Sequence, residues 1–464
     1  MKQIIVTIVI CMGTVPMFSQ ATTPLPHREG PGVGLSLSQL KDSARQNNIA
    51  LRTARLDIEA ASQQRKEAFT KYFPNVSGTG AWFNANKGMA KMDVNPSEMI
   101  SPQVGGMLAQ TLPAEALAAL ANPISISMMK NGTIGSLMAV QPVFAGGQIV
   151  NGNKLAKVGE DVSRLQLRLS ENEVEKTTEQ YYWQLVSLEE KTKTIDAVDT
   201  MLADIEKDVR MAVKAGVALP NDLLQVQLRR NEVASQRLKL ENGISIVRLL
   251  LAQFCGLSSS NIEHLTLNID KSSTQVEPTD NNLQSSMFNV QCTPEYQLLQ
   301  KQVEATKLQK KMAIGQQLPS VAVGVGYNYH NLLDNNHTFA MVYATVSVPI
   351  SDWWGGSHAV KRRKIEQQKA EEQLADNAEL LQIRMQNAYN SVVEARQQLT
   401  IAQRSIQQAE ENLRLNRNYY RAGTCTMSNL LEAQMLYQQA LDKHIDAYAD
   451  LQNKILEYRQ STGQ

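Results

Sequence analysis

Histidines, cysteines and a loose group of methionines are the residues of this sequence best suited to chemistry. The histidines are His27, His264, His330, His337, His358 and His444. A zinc hydrolase needs two of them one helical turn apart with a glutamate between, and no HExxH occurs. None stands beside a nucleophile and an acid in a spacing that builds a triad. Gly324-Val325-Gly326 runs into Tyr-Asn-Tyr and enters no helix, so it is no dinucleotide fingerprint, and there is no phosphate loop. Met89, Met92, Met99 and Met107, followed by Met128 and Met129, carry thioethers that suit Cu(I). Their spacing is irregular and no Cys or His joins them, which reads as an apolar surface or a plug-like loop. Cys11 lies very early and follows no small residue, so it is not a lipoprotein cysteine. Cys255, Cys292 and Cys425 form no CxxC pair, and an odd number leaves at least one thiol unpaired. Cys255 and Cys292 bracket a linker and are the two a disulfide would join. These residues predict no catalytic site, no cofactor and no metal site: the chain reads as something other than an enzyme.

The bulk properties agree with that. The chain has 464 residues, with 46 basic and 45 acidic, so no nucleic acid is implied as a partner. Aromatics are only 5%, and Gln, Asn and Ala are plentiful, which suits long wet helices better than a large globular core. Lys2, the apolar stretch Ile4 to Val15 and Met17-Phe18-Ser19 read as a secretory signal over 1–19, cut before Gln20. A membrane anchor would need about 20 apolar residues. No later run is long enough to span as a helix, so an exported chain that enters a bilayer must do so as a closed β-barrel.

The elements that position these residues come as a duplication. Tyr72-Phe73-Pro74-Asn75-Val76 opens a strand-like run, and Gln317-Leu318-Pro319-Ser320-Val321 opens another. Gln141-Pro142-Val143 leads to Gly146-Gly147, and Val348-Pro349-Ile350 leads to Gly355-Gly356. Ala215-Gly216 with Leu223-Leu224 recurs as Ala422-Gly423 with Leu430-Leu431, an offset of 207 residues that continues to Gly256 and Gly463. After a linker over 20–34, the first repeat spans 35–256: helix 36–72, strands 74–84 and 131–143, long helix 148–215, turn 216–221 and helix 222–255. A second linker, 257–291, is rich in Ser, Asn, Asp and Thr. The second repeat spans 292–464: helix 294–316, strands 319–330 and 338–350, long helix 357–422, turn 423–428 and helix 429–460. Between its strands the first repeat carries an insert, about Asn84 to Lys130, that the second lacks.

From Leu374 the positions Ala378, Leu381, Met385, Ala388, Val392, Ala395, Leu399, Ala402, Ile406, Ala409 and Leu413 keep spacings of 4 and 3, a heptad seam. The first repeat keeps it less strictly at Val174, Tyr181, Leu185, Leu188, Ile195 and Leu202. A helix from Gly152 to Ala215 is roughly 95 Å long and must pack lengthwise on others. Val321, Val323, Val325, Tyr327 and Tyr329 alternate with small or polar residues, the lipid-out, lumen-in pattern of a membrane strand with an aromatic girdle. Phe339 to Val348 is strand-like without saying which face is apolar. Four strands cannot close a wet-lumen barrel, and an open edge cannot sit in lipid, so several chains must contribute.

The signal, the duplication, a strand pair per half, the Pro then Gly-Gly exits and the Ala-Gly turns followed by Leu-Leu resemble the TolC family of outer-membrane efflux proteins over about Leu35 to Gly463. The resemblance implies a mainly α homotrimer, each chain giving four strands to a 12-stranded outer-membrane barrel that a helical barrel continues through the periplasm, with 257–291 in its belt. It implies a passive conduit for drugs or other small toxic molecules, with a periplasmic adaptor, an inner-membrane pump and the lipid bilayer as partners. The turns at Gly216 and Gly423 would meet the adaptor. The family's gate would fall on Asp222 and Tyr420; its arginine position is Cys425 here, and its acidic ring falls on Asn429 and Glu432, one acid being replaced by an amide. A type I protein-secretion channel is the nearest alternative. A periplasmic coiled-coil adaptor without a barrel is the other, although such a chain usually has one hairpin flanked by β-rich domains.

Overall fold

A computed structural model describes residues 36–87, 90–95, 101, 104, 107, 113, 124–128, 131–257, 289–331, 336–350 and 352–463. The signal over 1–19, the 20–34 linker, nearly all of the 257–291 linker, and Met89, Met99 and Met129 lie outside the described residues.

In chain order the elements are α1 (Leu37–Asn47), α2 (Ile49–Thr70), β1 (Asn75–Asn84), β2 (Ala90–Val94), β3 (Ile124–Met128), β4 (Asn131–Ala145), α3 (Gln148–Lys214), α4 (Pro220–Cys255), α5 (Pro294–Gly315), β5 (Ser320–Asn331), β6 (Asn336–Ser347), α6 (Asp352–Arg421) and α7 (Met427–Thr462). Where one helix was read over 36–72, the chain breaks at Asn48. That residue leaves the helical region, caps α2 by accepting from the Ala50 amide (2.9 Å), and donates to the Phe254 carbonyl (3.0 Å).

The four long strands form one antiparallel sheet in the order β1-β4-β5-β6, so the two repeats meet at β4 and β5. Residues directly opposite in register share a face. Val323, Val325 and Tyr327 thus share theirs with Leu137 of β4 and with Ala340, Val342 and Ala344 of β6. Val76 and Trp82 of β1 extend the same face. It is apolar and uncovered: Trp82 is 72% and Val342 81% exposed. The other face carries Ser77, Thr79, Ser136 and Asn328. It also has two glycines that admit large neighbours: the Tyr343 ring lies over Gly324, and Met138 and Met341 lean toward Gly326. At Pro142 the ladder slips by one residue, as befits a residue with no N–H to give, and Val143 is left 65% exposed. The described part of the insert is a hairpin, β2 with β3, outside the main sheet.

The heptad seam is the buried side of α6. Met385, Ala388, Val392, Ala395, Ala402 and Leu413 are buried, and α6 packs against α7. In α3 the offset positions Val174, Leu185, Ile195 and Leu202 are buried likewise, against α4 and its neighbours. α2 and α5 both lie on α3. Cys255 is buried in the first core cluster, which pushes its thiol up to about 11; Cys292 is exposed and Cys425 half-buried, and all three are free thiols.

Buried carboxylates tie the helices together. Glu160 of α3 accepts from Arg164 (2.7 Å) and from Arg65 of α2 (3.0 Å). Hydrogen bonds from Arg164, then Arg65, hold its pKa below the ordinary carboxylate range. Glu206 of α3 accepts from Arg230 (2.8 Å) and Gln227 (3.1 Å) of α4, and these bonds depress it too. A carboxylate depressed by folding contributes stability that is complete above its unfolded pKa and lost as pH falls through its folded one. The melting temperature is therefore expected to drop on acidification below the ordinary carboxylate range, and to drop less steeply in Glu160→Gln/Glu206→Gln. Equal slopes in thermal circular dichroism would count against the assignment.

Candidate functional site: the helical tip

The end of the molecule remote from the sheet is built from two matching turns. At the end of α3, Gly216 takes φ +72°, and at the end of α6 Gly423 takes φ +72°. In each, the residue after the glycine donates five residues back: Val217 to the Ala212 carbonyl (3.0 Å) and Thr424 to the Tyr419 carbonyl (2.9 Å). A left-handed glycine closing a helix in this way frees the chain to reverse. Pro220 then opens α4, and Thr426 caps α7 by accepting from the Asn429 amide (3.3 Å).

One groove between the two hairpins is lined by Asp222, Tyr420, Gly423 and Cys425, so four of the residues singled out in the sequence come together. Asp222 and Tyr420 share it without a hydrogen bond between them. Asp222 accepts from the Leu219 amide (3.4 Å), as a first-turn acid does. Burial, and then the negative charge of Asp222, push the Tyr420 phenol up. Cys425 donates to the Asn416 carbonyl (3.4 Å), and burial raises its thiol. Asn429 and Glu432 lie outside that groove, exposed on α7. Gly216 sits at the tip of the other turn, with nothing near the position of an added Cβ.

The sequence reading missed the bonds that hold the hairpins together. Arg229 of α4 donates to Gln434 (3.1 Å) and Gln438 (2.9 Å) of α7, and Gln438 donates to Gln236 of α4 (2.9 Å). Ser428 and Gln225 meet at 3.3 Å, and Arg421 pairs with Asp208 at 3.8 Å. A signal existed: Gln434 stands seven residues after Met427, on the same side of the helix, where an apolar residue is expected.

Among the described residues no group of three or more His, Cys, Asp or Glu is placed to hold a metal ion, and no helix is long and apolar enough to cross a membrane. Residues 293–464 match the family model described as outer membrane efflux protein. No curated protein matches the chain. Solved structures share the fold. The outer membrane protein VceC from Vibrio cholerae is 14% identical, with a TM-score of 0.70 over 92% of this chain and 96% of that one. The Campylobacter jejuni CmeC outer membrane channel is 15% identical, with a TM-score of 0.70 over 92% and 85%. CusC, whose structure is described in terms of transmembrane channel formation, is 14% identical, with a TM-score of 0.73 over 93% and 92%. The match to the outer membrane efflux protein family thus lies in residues 293–464, and the chain as a whole has the fold of TolC-type outer-membrane channels.

Proposed function

We propose that three copies of this chain close one barrel of twelve strands, four from each, and continue it as a helical tunnel. In this reading the assembly is the passive outer conduit of a tripartite efflux system. An inner-membrane pump and a periplasmic adaptor deliver small toxic molecules to it, and the adaptor meets the turns at Gly216 and Gly423. The observation that carries the reading is the sheet: four strands, an uncovered apolar face, and outer strands β1 and β6 each paired on one side only. Lipid tolerates neither an open edge nor an unclosed sheet, and neighbouring copies would satisfy both edges. A second support is α4, where Leu224, Leu228, Leu238 and Leu249 are exposed along one helix and fit a neighbouring copy better than water. Detergent extraction of outer membranes is expected to yield a heat-sensitive trimer. A monomer in the soluble periplasm after gentle lysis would rule the barrel out.

The gate of this conduit is the helical tip. Asp222 and Tyr420 sit in one groove between the hairpins, and Cys425 stands beside them. Three copies of Glu432 around one axis bring like charges together, which favours cations as counter-charge, while Asn429 dilutes the effect. Single-channel recording in planar bilayers tests this. Glu432→Ala is expected to lower cation selectivity, and Tyr420→Phe with Asp222→Ala to raise conductance. Unchanged values in both would leave the gate elsewhere.

A further inference from the structure

We propose that His330 and His337 form a binding site for a borderline transition-metal cation, of the Zn²⁺, Ni²⁺ or Cu²⁺ class, at the outward end of the sheet. The two are direct partners in the β5–β6 register, so both side chains leave the same face at adjacent points. Their rings stack with centroids 5.3 Å apart and planes 13° from parallel. A metal–imidazole bond of about 2 Å on each ring fits between rings so spaced once they turn about their side-chain torsions.

The surroundings leave the nitrogens to a ligand. The same-face neighbours across the register are Ile134 on β4 and Ala81 on β1, and neither offers a hydrogen bond. Phe339 lies edge-on or tilted at 6.1 Å from both rings and closes one side. Nδ1 of His330 is buried and has no hydrogen-bond partner. A buried polar atom without a partner costs free energy, and a bound cation relieves that cost. Neutral imidazole suits Zn²⁺, Ni²⁺ and Cu²⁺, and hard oxygen-seeking ions such as Ca²⁺ gain nothing here. The site supplies two protein ligands per chain, and water completes the shell.

The site's position rests on the reading above in one respect. The face that carries the histidines is opposite the apolar one, so in a closed barrel it lines the lumen, and three pairs would surround the outer mouth. Cation binding itself needs no such reading.

The test separates the two. Mature full-length protein in detergent, its two accessible thiols Cys292 and Cys425 alkylated, is titrated with NiCl₂ and with CaCl₂ by calorimetry. The expected result is nickel binding that weakens roughly tenfold or more in His330→Phe and in His337→Phe, with no calcium binding. Phenylalanine keeps an aromatic pair, and the heat-sensitivity of the trimer checks that each variant is assembled. No nickel binding in the parent protein, or the same affinity in both variants, overturns the site. Nickel added to the outer side of a bilayer-inserted channel is expected to reduce single-channel conductance, and not to do so in His337→Phe. Binding without block keeps the site and overturns its place in the lumen.

Discussion

Gly146→Ala is expected to abolish the assembled channel. Gly146 joins β4 to α3 at φ +58°, a conformation that costs an alanine about 1–2 kcal/mol. Strain of that size alone would be survivable. The larger cost is contact: a Cβ on Gly146 would overlap the carbonyl group and Cα of Gly315, the last residue of α5. The approach is mutual, because a Cβ on Gly315 would overlap the Gly146 carbonyl and press on Gln148. Both obstacles are backbone, which cannot rotate aside as a side chain would. Relief requires α3 to move away from α5 where the sheet passes into the helices, and such a tilt is carried along the whole length of α3.

Both Gly146→Ala and Gly315→Ala should therefore lose the heat-sensitive oligomer and the outer-membrane fraction. Gly159→Ala is the control. It lies inside α3 with nothing within 4 Å of an added Cβ, and alanine there is expected to stabilise by about 0.5–1 kcal/mol. A Gly146→Ala protein that assembles with parental heat-sensitivity would show that the junction yields.

That junction shows where sequence reading stops. The Gly146-Gly147 pair is visible as a repeat feature, yet its partner Gly315 comes from the other half of the chain and carries no local mark. The same distinction runs through the fold. The long helices are legible because their buried positions repeat every 3.5 residues, from Ala378 to Leu413. β5 is legible because Val and Tyr alternate with Gly. β6 is legible as a strand but not in its faces, because Phe339, Met341 and Tyr343 are large on the inner face. They are large there for a reason on another strand: Gly324 and Gly326 leave room that Tyr343 and Met341 fill. The break at Asn48 needs Phe254, and the β2–β3 hairpin is short, with a lysine and an aspartate in Ala90–Val94. In the tip, the turn glycines announce themselves and the resemblance supplied Asp222 and Tyr420. Arg229, Gln434 and Gln438 stay silent because polar residues on a helix are ordinary until a partner some 205 residues away is known.

Arg229→Met is expected to loosen the tip while leaving the barrel assembled. The Arg229 side chain is 11% exposed, and its guanidinium is shared among Gln434, at 0% exposure, Gln438, at 5%, and the exposed carboxylate of Glu232 on its own helix (2.9 Å). Removing it leaves two buried amide oxygens without a donor, each costing about 1–3 kcal/mol. Methionine fills the space and so isolates that loss from a cavity. At the tip the polar ties between the hairpins α3–α4 and α6–α7 are then the Gln438–Gln236 hydrogen bond, the Ser428–Gln225 contact and the Arg421–Asp208 pair, the last two exposed. An exposed ion pair contributes ~1 kcal/mol or less. The closed arrangement loses more than the open one if the hairpins part on opening, because parting already lets water reach the two glutamines. Each ~1.4 kcal/mol of that difference multiplies the open-to-closed ratio by ten. Single-channel records should accordingly show longer openings, and helix melting should fall, with trimer yield unchanged. Arg229→Met/Gln434→Leu/Gln438→Leu separates stability from register. An apolar layer of similar volume recovers the melting temperature, but it has no directional bonds to fix how α4 meets α7, so the long openings should persist. Parental gating in Arg229→Met would mean that the layer only holds the helices together, and parental gating in the triple variant alone would mean that packing, without the guanidinium, suffices to close the tip.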